Sequence, residues 1–410
     1  MNEAASISFA AIADDFTGGS DLAGMIAETG ARTALVFAPG DPEPILRERP
    51  DAIVLCLKSR SISPQAARLI SRSAWHWLQA FRPAQLQFKY CSTFDSTPQG
   101  NIGPVCEELL SAVNQNCTIA VPALPINGRT QYMGHLFVNG SLLQDSPMQH
   151  HPLNPMTDSN LLRWFGHQSR LRTSLIDLSI VRQGAAAIAR SLTDGVNFID
   201  ATQDSDLAAI AEAVARLPLI TGGSGLGRYL PSHWPLTTAP RSPLKLLETQ
   251  RCLILSGSCS FMTLEQLKRL REVGVPVHTL AEDGSFDMLA LRADVEVRGL
   301  GVLSSTAPQE ERRQDPAISE RLEAVFSSVA RRAAEEWGVR QFIVAGGETS
   351  GAVVGGLKLR AARIIGSIAP GVPALESFDT PHLGLALKSG NFGGPDFFMT
   401  AKAFLDKLNP

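Results

Sequence analysis

The amino-acid sequence predicts an α/β protein of two domains, each a mostly parallel sheet flanked by helices, with the active site in the cleft between them. Three observations predict it. At 410 residues and 44% hydrophobic content, the chain is too long for one ordinary core. Runs rich in Val and Ile alternate with stretches of helical period, the pattern of strand-helix units around a parallel sheet. The alternation breaks once, at PSHWPLTTAPRSPLKLLETQ (231–250), which holds four prolines and no clear period. A linker over 233–250 then separates a domain of residues 1–232 from one of residues 251–410.

In the first half the predicted strands are 6–13, 32–38, 51–57, 85–90, 117–121 and 217–221, each a short apolar run bounded by turn residues. Residues 18–29 and 103–114 read as helices, the second with Val105, Leu109, Ala112 and Val113 on one face. In the second half the strands are 251–256, 275–280, 299–304, 340–345 and 384–388. The longest helix is 317–337, with Leu322, Val325, Phe326 and Val329 as its buried stripe. The charged, apolar-poor stretch 306–316 reads as a solvated loop.

Composition excludes several classes of function. A formal charge of -3 supplies no excess of cations for a phosphate backbone, so no nucleic-acid partner is expected. The N-terminus is acidic where a signal peptide is basic, and no apolar run reaches the ~18 residues of a membrane span. A cytoplasmic protein with no membrane partner is expected. The six cysteines, Cys56, Cys91, Cys106, Cys117, Cys252 and Cys259, form no C-x-x-C pair and read as reduced thiols. Most sit beside apolar residues as core groups, while Cys91 and Cys259 lie in polar motifs.

Ligands of open α/β sheets bind outside the carboxyl ends of the strands, which directs attention to the residues that follow each apolar run. SFAAIADDFTGGSDLAG (8–24) stops at Asp14 and Asp15 and turns through Thr17 and two glycines into a helix. Two carboxylates there can divide roles, one reaching substrate hydroxyls as acceptor or base and the other facing a metal or holding the turn, although an Asp N-cap with a glycine turn is the plainer reading. DAIVLCLKSRSIS (51–63) places Lys58 and Arg60 at a strand end, suited to a carboxylate or phosphate and equally to a solvated pair. KYCSTFDSTPQGNIGP (89–104) crowds Lys89, Ser92, Thr93, Asp95, Ser96 and Thr97 into one turn before a helix whose free N–H groups attract anions. That density of charge and hydroxyl suits a short hydroxylated acid, and a helix-capping turn is the plainer alternative.

PALPINGRTQYMGHLFVNG (122–140) and HHPLNPMTDSNL (150–161) add Asn127, Arg129, His135, His150, His151, Thr157, Asp158 and Asn160 outside periodic structure, as a substrate loop would. No H-E-x-x-H or comparable spacing occurs, so no metal-ligating residues are expected and His135 reads as a hydrogen-bonding group. In the second half three strands each run into a turn of glycine and hydroxyl residues and then a helix: Ser256, Ser258 and Ser260; Gly346, Gly347, Glu348 and Thr349; Ser389, Gly390 and Asn391. Such turns expose backbone N–H groups to phosphates. LPLITGGSGLG (217–227) imitates a dinucleotide fingerprint but has Arg228 where the third glycine belongs, and no G-K-[ST] follows.

Together DDFTGGSDLAG, LKSRS, KYCSTFDSTPQGNIGP, PALPINGRTQYMGHLFVNG, HHPLNPMTDSNL, LSGSCS, AGGETSGAVV and LALKSGNFGGPDFF resemble the four-carbon acid sugar kinases, within them the branch acting on 3-oxo-tetronates. The resemblance runs from about Ile7 to about Leu405. It implies an N-terminal sugar-acid domain, a C-terminal nucleotide domain, and transfer of phosphate from ATP with Mg2+ to a terminal hydroxyl. Lys58, Arg60, Lys89 and Arg129 then become candidates to hold the carboxylate and the migrating phosphoryl group. Asp15, or in its place Asp14 or Asp95, would accept the hydroxyl proton. Thr17, Ser92, Thr93, Asn127 and His135 would complete the acid site. Kinases of threonate or erythronate share most of these motifs. A NAD-dependent dehydrogenase lacks its fingerprint here, and a non-enzymatic sensor would lack the nucleotide turns. A homodimer is the assembly expected, with the small acid as partner.

Overall fold

The computed structural model describes residues 6–150, 154–244, 247–306 and 315–407; His151 and most of the charged 306–316 stretch lie outside the described residues. Contacts divide the chain into two units, Met1–Thr33 with Asp41–Ala239, and Ala34–Gly40 with Pro240–Pro410.

Up to residue 239 the elements are β1 (Phe9–Ala13), α1 (Phe16–Glu28), β2 (Thr33–Val36), α2 (Glu43–Arg47), β3 (Ala52–Cys56), α3 (Pro64–Leu78), β4 (Gln85–Lys89), α4 (Ile102–Ala112) and β5 (Cys117–Val121). Then follow β6 (Arg129–Tyr132), β7 (His135–Val138), β8 (Ser141–Leu142), α5 (Leu161–Gly166), β9 (Thr173–Ile176), α6 (Leu178–Val181), α7 (Ala185–Ser191), β10 (Gly195–Ile199), α8 (Asp204–Val214) and β11 (Leu219–Gly222). The main sheet of the first unit runs β3-β1-β4-β11-β5-β10-β9, every neighbouring pair parallel. Its central strands are buried along their whole length, as expected where helices cover both faces. Register aligns Ala13 with Cys56 and Lys89, and Gly222 with Lys89 and Val121. The residues that follow these five positions therefore emerge side by side at one sheet edge. A separate antiparallel sheet, β6-β7-β8, carries Arg129 and His135.

The second unit holds β12 (Cys252–Ser256), α9 (Phe261–Glu272), β13 (His278–Thr279), α10 (Met288–Arg298), β14 (Leu300–Ser304), α11 (Pro316–Glu336) and β15 (Gln341–Ala345). It ends with α12 (Gly347–Gly356), β16 (Ala361–Ala369), β17 (Val372–Ser377), β18 (Gly384–Lys388) and α13 (Phe397–Asp406). Strands β13-β14-β12-β15-β18 are parallel, and β17 and β16 complete the row antiparallel. Ala34–Val36 of β2 pairs antiparallel with Ala361–Arg363, which is why that segment counts with the second unit. Leu267, Leu270, Phe397, Phe398 and Leu405 cover Ile254, Val302, Ile343 and Ala386 in its core. Register sets Ser256 beside Ala345, and Ala345 beside Lys388.

Several sequence expectations need correction. The strand expected over 275–280 shrinks to His278–Thr279, because Pro276 cannot donate to a ladder. Val325 is only half-buried, and the buried stripe of α11 is Ile318, Leu322, Phe326, Val329, Ala330 and Ala333. Ala112 and Val113 are likewise half-buried at the end of α4. All six cysteines are free, three of them buried. Among the described residues, no helix is long and apolar enough to cross a membrane.

Candidate functional site

At the carboxyl edge of the first unit's sheet one guanidinium gathers the carboxylates. Arg60 donates from Nε and Nη2 to Asp14 at 2.9 and 2.7 Å, and from Nη2 to Asp15 at 2.7 Å. Its Nη1 lies 3.9 Å from Asp95. The loop that carries Arg60 is tied down on both sides: Ser59 and Arg60 donate their N–H groups to Asp14 O, and Asn101 Nδ2 donates to Ser59 O at 2.7 Å. Asp15 has an extended backbone and caps α1, accepting from Gly18 N at 3.0 Å and from the Thr17 hydroxyl at 2.8 Å.

The two aspartates diverge in charge. Burial pushes Asp14 up against the pull of Arg60. Burial acts on Asp15 as well, but Arg60, Lys89 and the bonds from Thr17 and Gly18 outweigh it and hold Asp15 below the usual range. Side-chain exposure follows the same division, 3% for Asp14 against 22% for Asp15. The ionised, reachable carboxylate is Asp15.

Lys89, the last residue of β4, is buried and donates to Tyr90 O at 2.8 Å. Its Nζ and Asp15 Oδ1 both fall within 3 Å of where a Cβ on Gly18 would stand, so a side chain there would displace one or both. After Lys89, Thr93 donates to Asp95 at 2.6 Å and contacts Cys91 Sγ at 3.0 Å. Phe94 takes φ 56°, and its ring plugs the turn into the core against Tyr90, centroids 5.1 Å apart. Ser96 accepts from Trp164 Nε1 and Gln168 Nε2, which makes it a support of the turn. Gly103 N at the start of α4 is taken by Gln168 Oε1, so that helix end is not open to an anion at this position.

In the second unit three turns meet. Gly346, at φ 119°, begins the turn into α12. A Cβ on it would lie 3.1 Å from Thr349 Oγ1 and 3.2 Å from Ser258 N. A Cβ on Gly390 would lie 2.3 Å from Ser258 Oγ and 2.8 Å from Ser260 Oγ. The 257–260, 346–349 and 389–391 turns thus form a hydroxyl-lined backbone cradle in which a side chain at Gly390 would displace the Ser258 and Ser260 hydroxyls. Ser260 caps α9 through Thr263 N. Gly347, Glu348 and Asn391 are exposed, while Ser256 is buried with its hydroxyl engaged by Thr306 at 2.8 Å.

A family described as a sugar-binding N-terminal domain matches residues 9–230, and one described as a nucleotide-binding C-terminal domain matches 253–398. A protein of Cupriavidus necator named 3-oxo-tetronate kinase is 42% identical, covering 94% of both chains. A Burkholderia multivorans protein of the same name is 41% identical, covering 96% of both. The chain belongs to the 3-oxo-tetronate kinase family. A crystal structure from Salmonella typhimurium LT2, provisionally described as a tRNA synthase, shares the fold with a TM-score of 0.83 at 37% identity, covering 96% of this chain and 98% of that one.

Within this kinase-family fold, Asp14, Asp15, Thr17, Arg60, Thr93 and Asp95 are linked through side-chain contacts, Lys89 joins them by accepting from Asp14 N at 2.9 Å, and Ser92 adjoins Gly223 on the same edge. Lys58 is exposed on the Arg60 loop. Asn127, Arg129 and His135 form a set of their own around the small sheet. Arg129 Nη1 donates to Asn127 O, while Arg129 Nε is buried without a partner. His135 is fixed by Ser159 Oγ at 2.8 Å and lies 3.4 Å from Asn160 Nδ2. His150 and Thr157 are exposed, and Asp158 is bound by Arg163.

Two residues escaped the sequence reading. Asp21 on α1 is buried, accepts from Ser224 Oγ at 2.5 Å, and leaves Oδ1 without a partner. Burial pushes it up to about 6 against the pull of Lys89. The second is Lys388, which ends β18 as Lys89 ends β4. A lysine closing an apolar strand was the available signal.

Proposed function

We propose that the protein is an ATP-dependent kinase that phosphorylates the 4-hydroxyl of a 3-oxo-tetronate. Near-full-length similarity to relatives bearing that name carries the reading. The two carboxyl edges support it, one rich in carboxylates, cations and hydroxyls, the other a glycine-hydroxyl cradle. A net charge of -3 favours a small-molecule acceptor over nucleic acid. In this reading residues 1–232 bind the acid, 233–250 link, and 251–410 bind the nucleotide, in the cytoplasm where ATP is made.

Phosphoryl transfer needs placement and charge neutralisation more than covalent chemistry. Asp15 takes the proton from the acid's terminal hydroxyl as its oxygen bonds to the γ-phosphorus and the bond to the ADP oxygen breaks. Asp14 is held too tightly by Arg60 for that task, and Asp95 orients through Thr93. Arg60 spends its Nε and Nη2 on Asp14 and Asp15, and Lys89, Lys58 and Arg129 are the other cations assigned to the carboxylate and the moving phosphoryl group. Arg129, with its buried unpartnered Nε, fits such an anion. Ser258, Gly346, Gly347, Thr349, Gly390 and Asn391 cradle the phosphates. Mg2+ would come with the nucleotide and neutralise phosphate charge, with Glu348 the acidic side chain at the turn.

The test is ADP formation by the purified protein with 3-oxo-tetronates, threonate and erythronate. Turnover is expected with 3-oxo-tetronate above the others. Preference for threonate or erythronate would move the protein to the sister activity, and no acid-dependent ADP would overturn the kinase reading. The homodimer expected from sequence is checked by sedimentation.

A further inference from the structure

Beneath the nucleotide turns lies a cation that the proposed chemistry does not use. Lys388 is fully buried, and its Nζ faces three oxygens: Gly390 O at 2.8 Å, Ser389 O at 3.1 Å and Thr263 Oγ1 at 3.1 Å. The Thr263 hydroxyl spends its own proton on Gly390 O at 2.8 Å, so it accepts from Nζ. Three acceptors match the three N–H bonds of an ammonium, whereas a neutral amine has two.

Among the described residues, no carboxylate bonds this ammonium. On the elements packed against Lys388, Arg269 of α9 pairs with Asp396 before α13, Lys402 of α13 with Asp406, and Glu376 of β17 with Arg363. Glu265, Lys268, Arg271 and Glu272 of α9 and Glu348 of α12 are the other charged groups there, Glu272 also accepting from Arg269, and β15 has none. None of these is bonded to Nζ, which lies 5.8 Å from the centroid of the Phe397 ring. Burial alone pushes the ammonium down to about 7. A buried cation without a counter-charge is costly unless an anion arrives.

We propose that Lys388 is a positioning residue of the nucleotide site, whose ammonium fixes the Ser389–Gly390 turn and is stabilised by the phosphates of bound ATP, so that binding takes up a proton. This rests on the nucleotide reading above. Turn and helix are held by one Nζ: it draws two carbonyls of the 389–390 turn and the first turn of α9 together, next to Ser258 and Ser260. A phosphate entering that cradle brings the missing negative charge, and by linkage raises the affinity of Nζ for its proton.

Calorimetric titration of Mg-ATP into the full-length protein at about pH 8, in buffers of different ionisation enthalpy, reads proton uptake directly. The wild type is expected to take up a substantial fraction of a proton. Its Kd is expected to weaken about tenfold between about pH 6.5 and 8.5, which corresponds to a rise of roughly one unit or more on binding. Lys388→Arg, charged throughout, is expected to show no such uptake and a flat Kd. Lys388→Met should raise KM for ATP and leave KM for the acid unchanged, with Lys388→Arg restoring much of the loss. Binding with equal proton uptake in wild type and Lys388→Arg overturns the inference alone. A wild type that binds no ATP overturns the nucleotide reading and this inference with it. Should Lys388→Arg not fold, the wild-type pH series decides, and a flat Kd defeats the proposal.

Discussion

Asp15 and Lys89 face each other across Gly18, and their substitution separates chemistry from binding. Asp15→Asn keeps the N-cap of α1, since Asn caps as well as Asp, and removes only the base. It is expected to lower kcat by roughly 10²–10⁴, with little change in KM for ATP. Lys89→Met removes a buried charge and is expected to raise KM for the acid roughly 10- to 150-fold. Steady-state kinetics decide both, and a larger kcat loss in Asp95→Asn would transfer the base to Asp95. Asp21 yields a prediction with the opposite sign to an ordinary salt-bridged carboxylate. Its folded value of about 6 lies above the unfolded 3.8, so the unfolded chain releases this proton first. The cost is absent below about pH 4, grows through pH 6 and is full above it, on the order of 3 kcal/mol. Asp21→Asn should therefore melt higher than wild type at about pH 7.5, by a margin that shrinks toward pH 4. A lower melting temperature at every pH would mean that the carboxylate is not strained. Such a strained carboxylate beside Lys89 is what a site, rather than a core, retains.

At the scale of the element, the strand-turn-helix unit is where function and legibility meet. Gly346→Ala puts a Cβ on a residue at φ 119° and ψ 138°, a region open essentially to glycine, at a cost of about 1–3 kcal/mol. If the turn survives by shifting, ATP affinity should fall tenfold or more while acid binding stays near normal. Normal nucleotide affinity in a folded variant would defeat the phosphate-turn reading. The strands bearing these turns were legible because a parallel strand buried on both faces must be a continuous apolar run, as in FAAIA, AIVLC and QFIVA. Strand β10 was not, because Asn197 interrupts it. That Asn is buried only because Thr118 O, Thr193 O, Ser174 and Thr193 N satisfy it, and those partners are remote or invisible in a local pattern. The hairpin β16–β17 was missed because two register shifts break its period, and β6 to β8 because they are short and half-exposed. Lys388 stood inside a quoted motif and went unread, since periodicity gives no sign that an ammonium lies beneath a turn.

The whole chain adds what neither element nor residue carries. Residues 234–239 stay with the first unit, Trp234 stacking on Phe9 at 5.1 Å and Thr237 N bonding Asp51, whereas Arg363 holds Ser242 and Pro243 to the second. Ala34–Val36 supplies a strand to a sheet whose other members begin some 200 residues later, a pairing with no local signal. A fragment cut at the linker would expose the β16 edge, so nucleotide binding is better located in the intact protein. Hydrogen exchange serves, because amides that point at phosphate or lose solvent exchange more slowly. A non-hydrolysable ATP analogue with Mg2+ is expected to protect residues 257–260, 346–350 and 389–391. The acid alone is expected to protect 14–18, 58–60 and 90–97, and the small sheet from Arg129 to His135 as well if Arg129 takes the carboxylate. Amides 361–363, bonded between β17 and the 34–36 segment, should be slow with or without either ligand and serve as the internal reference. Protection by the nucleotide confined to the first unit would reverse the assignment of the two halves. Acid protection that left 14–18 unchanged would remove Asp15 from the reaction, whatever its substitution did to the rate.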